Sequence, residues 1–497
     1  MKNKKLFFTF VIFSTLSVFL WAQEEEDKAL EIEAEIETNE SIEISTGENE
    51  STPEPLPYSM ESLLISTQIN HPELLKLQEE YRRSILDLKD AWWSLGPTVD
   101  LQASGTYMVN PPLGAMYINT DDLLNAIQWN GVKPKNSAQR IKIYDGMENT
   151  LYNFELSVTQ PIFTWGKITN AIKLYKQVSE IKELQISQQS AQLETELKTR
   201  LISLYYMKKI LEIIDEEENY TNRMVEVSET AENVGMLLHQ DVVDAKIQAK
   251  ELEIAKQDLL EQINDQLLEL ERTSGIQVLL IDEINFDFVP ELEEGFEKLM
   301  SEDPDQLEAQ VVSGNQMSIK MLTQLEGVSK TAEKIARGYE NWKPDLALQM
   351  TSGYSGSRFP FFEPNWRRKD DYSVNISIGL KATIWDGGKK VRDVIRKKSE
   401  KETAAINKLD ARSSISKTFN SQWNAAQVCK MKIEYQELKI ESAAAKINQK
   451  QQMFDSGYGS ETDVLSAKIE RCNAQIEKER QALSRAIACL TIEYLKK

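Results

Sequence analysis

The chain has 497 residues, a formal net charge of −21, three cysteines (Cys429, Cys472, Cys489) and two histidines (His71, His239). Its acidic balance argues against nucleic acid as a partner. So few cysteines in so long a chain exclude a disulfide scaffold, and no spacing fits a zinc, redox or haem motif.

Residues 1–22 have the layout of a secretory signal. Lys2, Lys4 and Lys5 precede an apolar run from Leu6 to Leu20, and Ala22 offers a small residue for cleavage. A membrane anchor is the alternative, but the run is short for a span and an acidic stretch follows it. Residues 23–57 hold 13 acidic residues and a single lysine, Lys28. That composition cannot bury enough apolar surface to fold, and it reads as a disordered acidic tail. No run of eighteen apolar residues follows the signal, so helices are not expected to carry the chain across a membrane.

The body divides into a first repeat over 58–275, a linker over 276–303 and a second repeat over 304–497. Each repeat carries two segments that alternate apolar and polar residues. Segment 98–109 places Val99, Leu101, Ala103, Tyr107 and Val109 on one face, and segment 151–163 does so with Tyr152, Phe154, Leu156 and Val158. Segment 345–354 uses Leu346, Leu348, Met350 and Tyr354. Segment 372–384 uses Tyr372, Val374, Ile376, Ile378, Leu380, Ala382 and Ile384. Period two with one apolar face is the pattern of a half-buried strand. A soluble sheet packed on a core satisfies it, and so does a membrane barrel with lipid outside and a polar lumen inside. Two features favour the barrel: segments near ten residues, and Trp93, Trp165, Trp342 and Trp385 placed at one height as an interfacial girdle. Four strands cannot close a barrel, so it would be shared between chains. Residues 110–150 read as a polar loop joining the first two strands.

Each strand pair leads into a long helical stripe. Leu193, Leu197, Leu201, Leu204, Met207 and Leu211 are matched 222 residues later by Ile415, Phe419, Trp423, Ala426, Cys429 and Ile433. The spacing averages close to 3.5, a coiled-coil seam. Each stripe runs to a turn, "VGMLLHQDVVDAKI" from Val234 and "SGYGSETDVLSAKI" from Ser456, again at an offset of 222. Gly235 and Gly457 suit the left-handed position that ends a helix. Asp241 and Asp463 head the returning helices, near the positive helix ends, which is a sufficient reason for an aspartate there. Cys429 and Cys489 read as small core residues, with a bridge between them left open. Cys472 corresponds to Lys250 and is expected outside the seam. No nucleophile elbow, phosphate loop or placed histidine suggests an enzyme, and no cofactor or metal site is expected.

Three sets of motifs together resemble the TolC-like outer-membrane efflux proteins. They are "SLLISTQINHPELLKLQ" (62–78) with "LGPTVDLQASG" (95–105), "QPIFTWGK" (160–167) echoed by "ATIWDGGK" (382–389), and the paired turns. The resemblance covers about Tyr58 to Lys497. It implies mixed α and transmembrane β structure: a trimeric outer-membrane barrel with four strands per chain, continued by a long α-helical periplasmic tunnel. It implies an exit duct for a tripartite efflux pump or a type I secretion system. The partners implied are a homotrimer, outer-membrane lipid, a periplasmic adaptor (membrane fusion) protein and, through it, an inner-membrane pump. The turns Gly235, Met236, Leu237 and Gly457, Tyr458, Gly459 would form the adaptor-docking tip. Asp463 would line the tunnel constriction, with Asp241 and Asp244 as further candidates. A second acid follows one turn later in some family members. Here that position is Asp244 in the first copy but Ser466 in the second, which puts a double acidic ring in doubt. A periplasmic coiled-coil scaffold without a channel is the competing reading, and it has no use for four alternating strands.

Overall fold

The computed structural model describes residues 58–109, 111–126, 139–276, 280–313, 316–340, 343–357 and 371–497. The signal and tail expected over 1–57, and Trp342, lie outside them. The chain forms two compact units, one of residues 58–86, 176–329 and 399–497, the other of residues 87–175 and 330–398. In chain order the elements are α1 (Met60–Asn70), α2 (Pro72–Trp93), β1 (Thr98–Tyr107), β2 (Met116–Asn119), α3 (Thr120–Ala126), β3 (Arg140–Tyr144), β4 (Thr150–Phe163), α4 (Lys167–Asn233) and α5 (His239–Ser274). There follow α6 (Val289–Ser301), α7 (Pro304–Val312), α8 (Met317–Glu340), β5 (Asp345–Gly356), β6 (Tyr372–Lys381), α9 (Lys389–Asp455) and α10 (Glu461–Lys496). The bounds of α4 and α5 recur 222 residues later as those of α9 and α10. Each long helix has 67 residues, a length of about 100 Å at the α-helical rise. Among the described residues no helix is long and apolar enough to cross a membrane.

The second unit is built on an antiparallel sheet in the order β1-β4-β5-β6. Its register aligns the period-two faces. Leu101 lies opposite Leu156, Val158 opposite Met350, and Met350 opposite Ile376. Residues at paired positions share a face. All four apolar sets therefore fall on one side of the sheet, with Gln102, Glu155, Thr351 and Asn375 on the other. The apolar side is uncovered at the outer strands, where Val99, Leu101, Val374, Ile376 and Leu380 are all exposed. Among the described residues the outer edges of β1 and β6 have no strand beside them, and the sheet does not close.

Three sequence expectations change here. The strand expected over 372–384 ends at Lys381, because its partner β5 begins at Asp345, which pairs with Lys381; residues 382–384 have no strand to bond. Val109 likewise falls outside β1. The loop expected over 110–150 contains a second antiparallel pair, β2 with β3, and the short helix α3.

The corners between sheet and long helix differ in detail. Trp165 has φ 54°, a left-handed backbone rare outside glycine, whereas its counterpart 222 residues later is Gly387 at φ 67°. The indole Nε1–H of Trp165 donates to the Pro344 carbonyl at 2.9 Å, and its ring packs edge-on to Phe163. Beside it the buried Lys167 ammonium bonds both carboxylate oxygens of Asp345, at 2.8 and 2.9 Å, and lies over the Tyr339 ring. These contacts tie the start of α4 to the start of β5.

In the first unit α4 carries two seams. Leu197, Leu201 and Leu204 pack with Leu63 of α1 and Ile263, Leu267 and Leu270 of α5. Ile202 and Tyr206 face another cluster, with Phe296 of α6, Leu307 of α7, Phe419 and Trp423 of α9, and Leu490 of α10. All three cysteines are unpaired and buried. Cys472, expected outside the seam, is fully buried, because α10 packs against α4 as well as α9. Leu197→Ala and its counterpart Phe419→Ala should each lower unfolding stability by about 2–5 kcal/mol through cavity formation, read as a drop in denaturant midpoint for the helical signal.

Candidate functional site

The two helix–turn–helix tips close by the same backbone pattern. At the first, Gly235 N–H donates to the Glu232 carbonyl and Met236 N–H to the Ala231 carbonyl, both at 2.8 Å. At the second, Gly457 donates to Phe454 and Tyr458 to Met453, both at 2.9 Å. This pair of bonds is a Schellman stop, and it requires the left-handed residue that Gly235 (φ 74°) and Gly457 (φ 77°) supply. The turns raise apolar side chains into solvent: Val234, Met236 and Leu238 on one, and Tyr458, 85% exposed, on the other. Leu237 and Gly459 are half-buried.

The returning helices start differently. Asp241 reaches back and accepts the Leu238 N–H at 3.1 Å. In the second tip Ser460 Oγ accepts the Asp463 N–H at 3.2 Å. Each tip thus uses one half of a capping box, in opposite senses. The Asp241 carboxylate is engaged in holding its helix end. The Asp463 carboxylate is exposed, and its ion partner is Lys450 of α9, at 3.6 Å. Asp244 is exposed one turn further along α5.

Contacts between the hairpins, which sequence reading missed, join α4 to α10. The Arg223 guanidinium bonds Glu461 at 2.8 Å, Arg471 bonds Glu216 at 2.6 Å, and Lys468 lies over the Tyr220 ring. Between them Glu217 is buried, accepting from the Asn473 amide at 3.4 Å. Burial pushes its pKa up to about 7, with the Asn473 hydrogen bond pulling the other way. Burial likewise holds the adjacent Cys472 thiol at about 11. Apart from Lys468, matched by Lys246, none of these residues recurs in the repeat, where the counterpart of Glu217 is Lys439, so the offset could not flag them.

The expected girdle residues Trp93, Trp165 and Trp385 are exposed and lie beyond the same end of the sheet. Among the described residues no cluster of histidine, cysteine and carboxylate side chains could hold a metal ion. A Cβ at Gly457 would meet nothing within 4 Å, so Gly457→Ala tests backbone conformation alone. It should destabilise the second tip by about 1–2 kcal/mol, read as faster amide exchange in the turn with the helix bodies unchanged.

No family model matches the sequence, and no curated protein sequence matches it. Solved structures do. The outer membrane protein VceC from Vibrio cholerae is 15% identical with a TM-score of 0.64, over 88% of this chain and 96% of that one. The Campylobacter jejuni CmeC outer membrane channel is 13% identical with a TM-score of 0.66, over 88% and 85%. The open state of the Neisseria gonorrhoeae MtrE outer membrane channel is 10% identical with a TM-score of 0.62, over 88% of each chain. The chain therefore has the fold of the TolC-like outer-membrane channels.

Proposed function

We propose that the protein is a passive exit duct of the outer membrane, a homotrimer whose twelve strands close one barrel above a helical periplasmic tunnel. The observation that carries this reading is the sheet. Its apolar face is uncovered at the outer strands, its opposite face carries polar residues, and among the described residues both outer edges lack a partner. In lipid an unpaired strand edge is untenable, since no water satisfies its N–H and C=O groups. Three copies joined edge to edge, β6 of one to β1 of the next, satisfy every edge and turn the apolar faces outward. Trp93, Trp165 and Trp385 then stand at the lower boundary of the lipid. A coiled-coil scaffold gives none of these features a use.

The helices support association between copies. On α9, Val428, Met431, Tyr435 and Leu438 are exposed at steps of three and four, an unfilled seam of the kind a neighbouring copy covers. The exposed apolar tips at Met236 and Tyr458 offer a docking surface for a periplasmic adaptor, which would in turn engage an inner-membrane pump or secretion transporter. Asp463 from three chains would converge near the axis as an acidic ring that attracts cations and repels anions.

Native mass measurement in detergent should give a trimer; a monomer or dimer overturns the shared barrel. In planar bilayers Asp463→Ala should lower cation selectivity and weaken block by divalent cations. Asp241→Ala should leave selectivity near wild type, because its carboxylate is spent on the start of α5. Unchanged selectivity in Asp463→Ala channels would remove Asp463 from the constriction.

A further inference from the structure

Glu217 sits at the contact between α4 and α10, one turn tipward of Ile214 and close to Ile476, where the packed apolar cluster ends. Its side chain is buried; Oε1 accepts from Asn473, and Oε2 has no hydrogen-bond partner. The cations around it pair with other groups, although the buried Arg471 Nε has no acceptor. On α10, Arg471 serves Glu216, and Lys468 covers the Tyr220 ring. On α5, Lys256 bonds Asp215 and Glu218 at 2.8 and 2.7 Å. The ion pairs Glu437–Lys478 and Lys446–Glu470 set α9 against α10, and between them Lys439, over the Tyr435 ring, and Glu441 are exposed while Ala443 faces inward. On α4 itself Thr221 Oγ1 donates only to the Glu217 main-chain carbonyl, and the Cys472 thiol opposite is neutral. A carboxylate in such a place, with one oxygen bare, costs far more than a carboxylic acid.

We propose that Glu217 is a proton-operated latch between the two hairpins: as the neutral acid it lets α4 and α10 pack, and its ionisation favours their parting. The latch rests on the channel reading only for its consequence, that parted hairpins widen the tunnel. The sign follows from linkage. The packed state holds its proton up to about pH 7, against 4.5 for a carboxyl reached by water. Between those values the packed state binds the extra proton, so raising the pH drives parting; below and above the window the effect is flat. The parted population should rise on the order of tenfold from pH 5.5 to pH 7.5.

The test is hydrogen exchange on the detergent-solubilised full chain, with rates corrected for the intrinsic pH dependence of exchange. Wild type should lose about tenfold protection over 210–224 and 465–479 from pH 5.5 to pH 7.5. Glu217→Gln and Glu217→Met, both neutral, should show flat protection across the series. A flat wild type overturns the latch, as does either neutral variant keeping the wild-type slope. Conductance recorded over the same pH series separates the two readings. Exchange that shifts with pH while conductance does not leaves the latch standing and removes its role in a channel. A conductance change that persists in both neutral variants, with exchange flat throughout, removes the latch and leaves the channel.

Discussion

The antiparallel pairing of β4 with β5 joins the two repeats, and the sheet-bearing unit depends on its register. Val158 opposite Met350 and Phe154 opposite Tyr354 set both hairpins with their apolar residues on one side. A slip of one residue would send every apolar side chain of one repeat to the polar face. The Lys167–Asp345 ion pair and the Trp165–Pro344 hydrogen bond sit at the end of this pairing, where the chain leaves the sheet for α4. Sheet register and helix start are therefore fixed by one corner.

The helical unit meets a different constraint. Helices this long cannot be held by one apolar stripe when each must touch more than one neighbour. α4 solves this with two adjacent seams, Leu197–Leu201–Leu204 and Ile202–Tyr206. Towards the tips the two large apolar clusters end, and ion pairs and the buried Glu217 are interleaved with buried apolar residues such as Val242, Val464 and Ala467. Polar contacts at half-exposed positions contribute little net stability each. A boundary made of them separates more readily than a packed apolar seam.

Duplication at one offset does not make the two halves equivalent. The tips share their Schellman stop, yet one return helix is capped by Asp241 and the other by Ser460. Trp165 stands where the second copy has Gly387, and Glu217 where it has Lys439. The departures at Trp165 and Glu217 fall where a chain segment meets a different neighbour in the two halves, while the caps are local to each tip.

The sequence by itself determined what is local. Period two marked four strands and their apolar faces, a spacing near 3.5 marked the seams, and paired glycines marked the turns, since backbone geometry ties each pattern to one kind of element. Strand ends at Lys381 and Tyr107, and the β2–β3 pair inside an apparent loop, were decided by hydrogen-bond partners distant in sequence. Cys472 gives the clearest contrast. Its counterpart Lys250 is exposed on α5, while Cys472 is enclosed because α10 is gripped by α4 and α9 together. A periodic pattern records which face of a helix is apolar; which other helices come to meet that face, and so which polar residue ends up shut between them, only the tertiary packing decides.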